Sequence, residues 1–488
     1  MPGTWSKAGG ESSRGLETAC VQTLELPQLL PLDSPAEADY LRDVAHTKRF
    51  LEYWSADPKF RELLPTDPAG VAAAAGLEAD PEAIRSLWET DAHAPVHSQA
   101  PTPSVARYRA FMSEKFAYRN YLRTAADSTH AGFKAWRERQ INRCFGQLGA
   151  QKGDSLVHAC LAVELCAGCS VGCWFCGISA LKLEGVWPYT DENARLWRGV
   201  LRAMRETLGD AAGRGFCYWA TDPLDNPDYE KFCTDFSDLL GRFPQTTTAQ
   251  PMRDPQRFRQ LHRLARERGN EIDRFSVLTL GTLKKIFAEY SAEELLFVEL
   301  VMQMDGAYAG KAYAGKARSK QERWKKATGQ EPPPDESTST IACVSGILLR
   351  MPERSFELVS PARADERWPN GYRIHARRTF EDADDFRQQL QQVLSALPTR
   401  LPLDTPLRMR QDIQLDLTEN GFSAVSHYFK MTFNNRQYPA MRLLGEGLAQ
   451  GNLNAAQLAL KAEPVSSMEQ TLMVLNQLFA KGLLDDEP

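Results

Sequence analysis

Glu164-Leu-Cys-Ala-Gly-Cys-Ser-Val-Gly-Cys-Trp-Phe-Cys-Gly177 places four cysteines, Cys166, Cys169, Cys173 and Cys176, within eleven positions of a 488-residue chain. The last three form C-x3-C-x2-C, and the run follows directly on an apolar segment, Ala159–Leu165, that reads as a strand. Three thiolates on one loop can hold three irons of a [4Fe-4S] cluster and leave the fourth iron without a protein ligand. Zinc is the rival, with Cys166-x2-Cys169 and Cys173-x2-Cys176 taken as two pairs. Structural zinc motifs usually separate such pairs by roughly 12–20 residues, and here the gap is three. The spacing favours the cluster.

An open iron suits a chelating substrate. The amino and carboxylate groups of S-adenosyl-L-methionine (SAM) can occupy it, which sets the sulfonium where a reduced cluster can donate one electron and release a 5′-deoxyadenosyl radical. Phe175, just before the last cysteine, suits a loop lying against an adenine ring.

Outward from the loop, strand and helix patterns alternate between about 155 and 305. Helices are expected near 191–208, 228–240 and 255–268, and strands at Phe216–Ala220, near Gln245–Ala249 and at Arg274–Thr279. Such alternation predicts an α/β fold with parallel strands, either a doubly wound sheet or a full or partial barrel. Upstream, residues 1–35 read as a flexible arm, and 36–150 as a helical region with helices at about 104–124 and 131–148. The core is expected over 151–400, including a polar basic loop at 307–340, where seven Lys/Arg between Lys311 and Lys326 face one Glu. That loop is either a solvated linker or a basic lid over an acidic peptide. Residues 401–488 read as a small, mainly helical domain.

Composition sets outer limits. Hydrophobic residues at 43% and charged residues at 25% exclude general disorder, and 29 prolines with 32 glycines exclude collagen-like classes. With 58 Lys/Arg against 63 Asp/Glu, a formal charge of −5 gives no global reason to expect nucleic acid or a membrane surface as partner. No apolar run is long enough to span a bilayer, and the first thirty residues lack a signal-peptide order, so a cytoplasmic location is expected.

C-x3-C-x2-C after the first strand of an alternating region resembles the radical SAM superfamily. More narrowly, ELxxGCSVGCWFCG (Glu164–Gly177), YWATDPLDNPDYEKF (Tyr218–Phe232) and CVSGILLRMPERSFELVSP (Cys343–Pro361) resemble the radical SAM peptide epimerases of ribosomal peptide maturation, the polytheonamide type. The likeness runs from about residue 130 to 380. It implies a partial (βα)6 barrel, a [4Fe-4S] cluster on Cys169, Cys173 and Cys176, and SAM across the strand C-termini. By the same resemblance Thr221 and Asp222 stand where such folds contact the methionine amino group, with a capping loop as the alternative. Thr247 stands where the ribose is reached, or is strand filler. Cys166 departs from the pattern and is read as a bystander.

The implied reaction is conversion of L- to D-residues in a ribosomal precursor peptide with a leader, with electrons from an external donor. A planar Cα radical takes hydrogen back from the opposite face, and a thiol is a suitable donor. Cys343 matches the family segment and is the expected donor, with Cys217 in reserve. No cysteine follows Cys343, so a C-terminal auxiliary-cluster domain is not expected; a D-x-H-x-x-G cobalamin signature is also lacking. Two alternatives remain: a radical SAM maturase forming cross-links or dehydro residues, and a zinc-stapled peptide-binding scaffold. The C-terminal helices with Gly482 resemble leader-binding winged-helix elements, or form a capping bundle.

Overall fold

The structure, a computed structural model, describes residues 35–89, 100–124, 128–270, 272–308, 313–330, 340 and 342–486. The expected arm, apart from Pro35, lies outside the described residues, as do residues 90–99 and the Pro-rich run 331–339. Among the described residues no helix is long and apolar enough to cross a membrane.

The strands in chain order are β1 (Ala159–Glu164), β2 (Cys166–Ala167), β3 (Gly185–Val186), β4 (Gly215–Phe216), β5 (Thr247–Thr248), β6 (Asp273–Val277), β7 (Val298–Met302), β8 (Val344–Arg350), β9 (Ser355–Pro361), β10 (Tyr372–Thr379), β11 (Gln414–Thr418), β12 (Gly421–Val425) and β13 (Lys430–Asn434). The fold is mixed α/β. One sheet has the order β10-β9-β8-β1-β4, in which β8, β1 and β4 are parallel; a second, all parallel, has the order β5-β6-β7. No ladder joins β4 to β5, and no closed barrel forms among the described residues.

The expected strand over 216–220 shortens to Gly215–Phe216. Beyond it only the Trp219 N–H still donates to β1, to the Val163 carbonyl at 2.9 Å, and Ala220 sits at φ 53°, a left-handed conformation that cannot continue a strand. The expected helices form close to their predicted limits because each start is chemically marked. The Thr190 hydroxyl accepts the Asn193 N–H ahead of Asp191–Leu208, and Asp254 accepts the Arg257 N–H ahead of Pro255–Glu267, where proline occupies the first turn.

The faces of β6 and β7 show where the core lies. Phe275, Val277, Val298, Leu300 and Met302 point to the helices and pack with Phe258, Leu283 and Ile286, and with Phe50, Tyr53, Phe60 and Trp88 of the N-terminal region. Each fully buried side chain of this size contributes roughly 1.5–3 kcal/mol. The alternate residues Arg274, Ser276 and Val301 face the other way, into a cavity. The helical N-terminal region is thereby part of the core: Lys48 Nζ donates to the Val298 and Leu295 carbonyls at 2.8 and 3.0 Å.

Two expectations need correction. The stretch read as a basic loop contains an α-helix, Gly315–Thr328, ended by Gly329 in the left-handed conformation (φ 71°). Ten of its fourteen residues are Lys, Arg, Gln, Glu or Ala, strong helix formers, and Arg318 pairs with Glu322 one turn on at 2.8 Å. The C-terminal domain has its three expected helices, Met441–Gln450, Ala455–Ala462 and Met468–Ala480, but an antiparallel sheet that the sequence reading lacked, β11-β12-β13, precedes them. Glu419 and Asn420 turn the first hairpin, and Gly421 opens β12 opposite Thr418. This domain docks on the helix Ala131–Leu148, where Asp486 accepts from Gln140 at 2.8 Å and pairs with Arg143.

Candidate functional site

The cysteine run leaves the C-terminal end of β1 and is stitched to its own return. β2 pairs with β3, the Cys169 N–H donates to the Leu181 carbonyl at 3.0 Å, and the Leu183 N–H donates to the Cys169 carbonyl at 3.2 Å. Gly168 makes this approach possible: its φ is 89°, and a Cβ there would lie 2.3 Å from the Lys182 carbonyl oxygen. At the far end of the loop the Ala180 N–H donates to Cys176 Sγ at 3.3 Å. The basic helix seats on this end. The Lys316 N–H donates to the Cys176 carbonyl at 2.9 Å, Lys316 Nζ donates to the Ala180 carbonyl at 2.6 Å, and Lys320 Nζ stands 3.5 Å over the Trp174 ring.

The segment Thr221–Asn226 braces the loop. The Asp222 carboxylate is 3% exposed and accepts the Leu224 and Ala249 N–H groups at 3.0 and 2.8 Å and the Thr248 hydroxyl at 2.9 Å. Burial pushes its pKa up to about 6, against these donors. It therefore caps a turn and ties the end of β5, while still lining the cavity. Asp225, which the sequence reading did not single out, accepts the Ser170 N–H at 2.9 Å and the Ser170 hydroxyl at 2.5 Å, and pairs with Arg253 at 2.8 Å. Asn226 Nδ2 donates to the carbonyls of Leu165 and Trp187 at 3.1 and 2.9 Å, at the loop's two roots.

Asp225→Ala removes the acceptor of both Ser170 donors, and because Ser170 is exposed and can turn to water the loss is about 1 kcal/mol. The variant should fold with lower thermal stability and take up less iron on reconstitution, read by iron analysis; full iron content would show that Asp225 does not hold the loop.

One cavity of about 320 Å³ gathers the candidate residues. It is lined by Cys169, Cys173, Cys176 and Phe175 from the loop, by Thr221, Asp222 and Thr247 from the strand ends, and by Cys343. Cys343 immediately precedes β8 whereas the loop follows β1, and these strands run parallel, so the lone thiol and the trio stand at opposite ends of the strands. Among the described cysteines, Cys169, Cys173, Cys176 and Cys343 are partly exposed, and Cys144, Cys160, Cys166, Cys217 and Cys233 are buried. Cys166 is sealed behind the loop, and burial pushes its thiol up to about 11. Cys217 packs in the helix-side core beside Cys233, away from the cavity, which counts against it as reserve donor.

Burial pushes the Cys169 thiol up to about 12 and Cys173 to about 11. Burial also raises Cys343, with Arg274 opposing. Arg274 lies near both Cys343 and Tyr218 and donates to Glu299 at 2.7 Å, and Lys115 meets Glu299 at 2.6 Å. Although burial works against it, Glu299 is held well below the carboxylate range by these two cations.

No three His, Cys, Asp or Glu side chains among the described residues converge as ligands of a single metal ion. A [4Fe-4S] cluster asks for a different spacing, since each thiolate takes its own iron. The donor set fits that demand: three half-exposed thiols on one glycine-hinged loop, facing a common cavity. Binding would displace their protons, as coordination does for any thiol.

No protein-family model matches the chain, and no solved structure matches it. The uncharacterized protein y4wI of Sinorhizobium fredii (strain NBRC 101917 / NGR234) is 37% identical over 455 residues, covering 91% of this chain and 88% of the relative. At that identity and coverage, the chain belongs to the same protein family as y4wI.

Proposed function

We propose that the chain is a radical SAM enzyme that epimerises residues of a ribosomally made precursor peptide. The observation that carries this reading is the cavity with three cysteine thiols at one end and a single thiol, Cys343, at the other. In this reading the strands β1 and β4–β8 correspond to a partial (βα)6 barrel. Cys169, Cys173 and Cys176 hold a [4Fe-4S] cluster, and Phe175 and Thr247 bound the space for SAM. When bound, cluster and SAM together supply the radical that removes a peptide Cα hydrogen.

The remaining work falls to the chain itself. Asp225 holds the loop through Ser170 and Asp222 ties the segment that carries Asp225 to the end of β5, so in this reading the abstracting radical and the thiol keep to opposite sides of the peptide. Cys343 returns hydrogen from the side opposite to abstraction, which inverts the centre. The raised pKa keeps the thiol protonated at neutral pH, the state that can give a hydrogen atom. The basic helix Gly315–Thr328 contributes Ala317 and Gln321 to the cavity wall and stands where an acidic leader or the substrate backbone would enter. The C-terminal domain is assigned to leader binding, and an external donor supplies electrons from the cytoplasm.

The test is incubation of the anaerobically reconstituted enzyme with its encoded precursor peptide, SAM and a low-potential reductant in deuterated water. Each residue that becomes D should carry solvent deuterium at its α-carbon, because a thiol proton exchanges with solvent before delivery. A cross-link or two-hydrogen mass loss without deuterium would replace this reading with the rival maturase.

A further inference from the structure

Cys343 lies between two cavities. The second, of about 260 Å³, sits toward the N-terminal ends of the strands, and four of the described residues, Phe216, Tyr218, Arg274 and Cys343, line both. A thiol that gives one hydrogen to the peptide in every turnover must be given one back. Of the three residues that share both cavities with it, Phe216 has no O–H, N–H or S–H bond in its side chain, and the N–H bonds of Arg274 are much stronger than a thiol S–H. The phenol of Tyr218 holds its hydrogen about as strongly as a thiol does, so hydrogen can pass between the two with little change in energy.

The surroundings of Tyr218 fix that phenol in place. Its ring lies against Phe216, with centroids 4.6 Å apart, and its hydroxyl donates at 2.8 Å to Gln245 Oε1, which belongs to the rear cavity. Gln245 Nε2 in turn donates to the Thr246 carbonyl at 3.1 Å and the Thr247 hydroxyl at 3.2 Å, so the amide oxygen is the end that faces Tyr218. Tyr218 and Cys343 pack against the same buried cluster, which includes Phe216, Trp219, Ala342 and Val344. Burial raises the pKa of the Tyr218 hydroxyl and the nearness of Cys343 adds to the rise, so the phenol keeps its hydrogen at neutral pH.

We propose that Tyr218 is the hydrogen relay that restores Cys343 after each inversion. The inference rests on the epimerase reading, in which Cys343 is left as a thiyl radical once per turnover. The O–H bond of Tyr218 then breaks and the S–H bond of Cys343 forms. Cys343 gains one electron and one proton, and Tyr218, having lost both, becomes a phenoxyl radical. A one-electron reductant from outside and a proton from water return the phenol. The phenol hydrogen exchanges with solvent as a thiol's does, so solvent deuterium still reaches the α-carbon.

The test is a single turnover by the full-length holoenzyme, reduced beforehand, freed of excess reductant and of any added thiol, then mixed with precursor peptide and SAM and frozen. With no electron left to repair it, the radical should rest on Tyr218 and be seen by electron paramagnetic resonance in an amount equal to the D-residues formed. A fluorotyrosine placed at position 218, which keeps ring and hydroxyl, should add fluorine splitting to the signal, so the test stays decisive if Tyr218→Phe does not fold. Tyr218→Phe should show no such signal and should form a single D-residue per chain from the hydrogen already on Cys343. With reductant in excess it should then turn over at least about tenfold more slowly than the wild type. D-residues formed without a tyrosine radical, or by Tyr218→Phe at the wild-type rate, would overturn the relay and leave epimerisation standing. A folded Tyr218→Phe that loses the first D-residue along with the rest would also overturn it, by marking Tyr218 as structural. A wild type that forms no D-residue would overturn the epimerase reading, and the relay with it.

Discussion

Cys343→Ala should reduce D-residue formation to background while leaving SAM cleavage in the presence of peptide intact. The two half-reactions depend on groups at opposite ends of one cavity: the cysteine loop follows β1, and Cys343 precedes the parallel strand β8. In the proposed reading, hydrogen abstraction needs only the loop end, and inversion needs a donor at the other. The variant should reconstitute with normal iron content and form 5′-deoxyadenosine, measured by chromatography. Its peptide product should contain L-residues only, read by chiral amino-acid analysis. Removing one sulfur from a partly exposed position leaves a small void, so folding should survive. Normal D-residue formation would eliminate Cys343 as donor, and Cys217 would be a poor replacement because its thiol is buried on the helix side.

The second large effect is expected at the loop. Replacing Cys169, Cys173 and Cys176 together by Ala should abolish iron binding, the brown colour of the reconstituted protein and all SAM cleavage. Cys166→Ala should leave iron content nearly unchanged. Cys166 is fully buried behind the loop, with Thr221 as its hydrogen-bond partner, and does not line the cavity. If Cys166→Ala loses iron while Cys169→Ala keeps it, the ligand assignment is wrong.

Much of this arrangement is legible in the chain because the signals are local. Asp254-Pro255 and Thr190 announce helix starts at single residues, and the apolar run Ala159–Leu165 announces a buried strand. The cysteine trio, Phe175, Thr221, Asp222, Thr247 and Cys343 were each nameable from sequence, and the fold lines one cavity with all eight. What escaped depends on partners distant in sequence. Asp225 looks like any acidic loop residue until Ser170, 55 positions earlier, is found donating to it. The helix Gly315–Thr328 was hidden by its polarity, since a helix exposed on most sides has little apolar period to read. The meander of the C-terminal domain was hidden by short strands whose outer faces carry Gln414, Asp416 and Thr418.

β6 and β7 divide their labour residue by residue: Phe275, Val277, Val298, Leu300 and Met302 hold the fold together, and Ser276, Val301 and Gln303, just past β7, shape the room in which a peptide would lie. Stability and selectivity are therefore written in alternate letters of the same words. A lineage built this way can change the guest without rebuilding the house, because substitutions at the inward positions leave the helix-facing positions untouched. A chain that kept the helix-facing positions could share this scaffold and differ in what it admits through every second position of the strands.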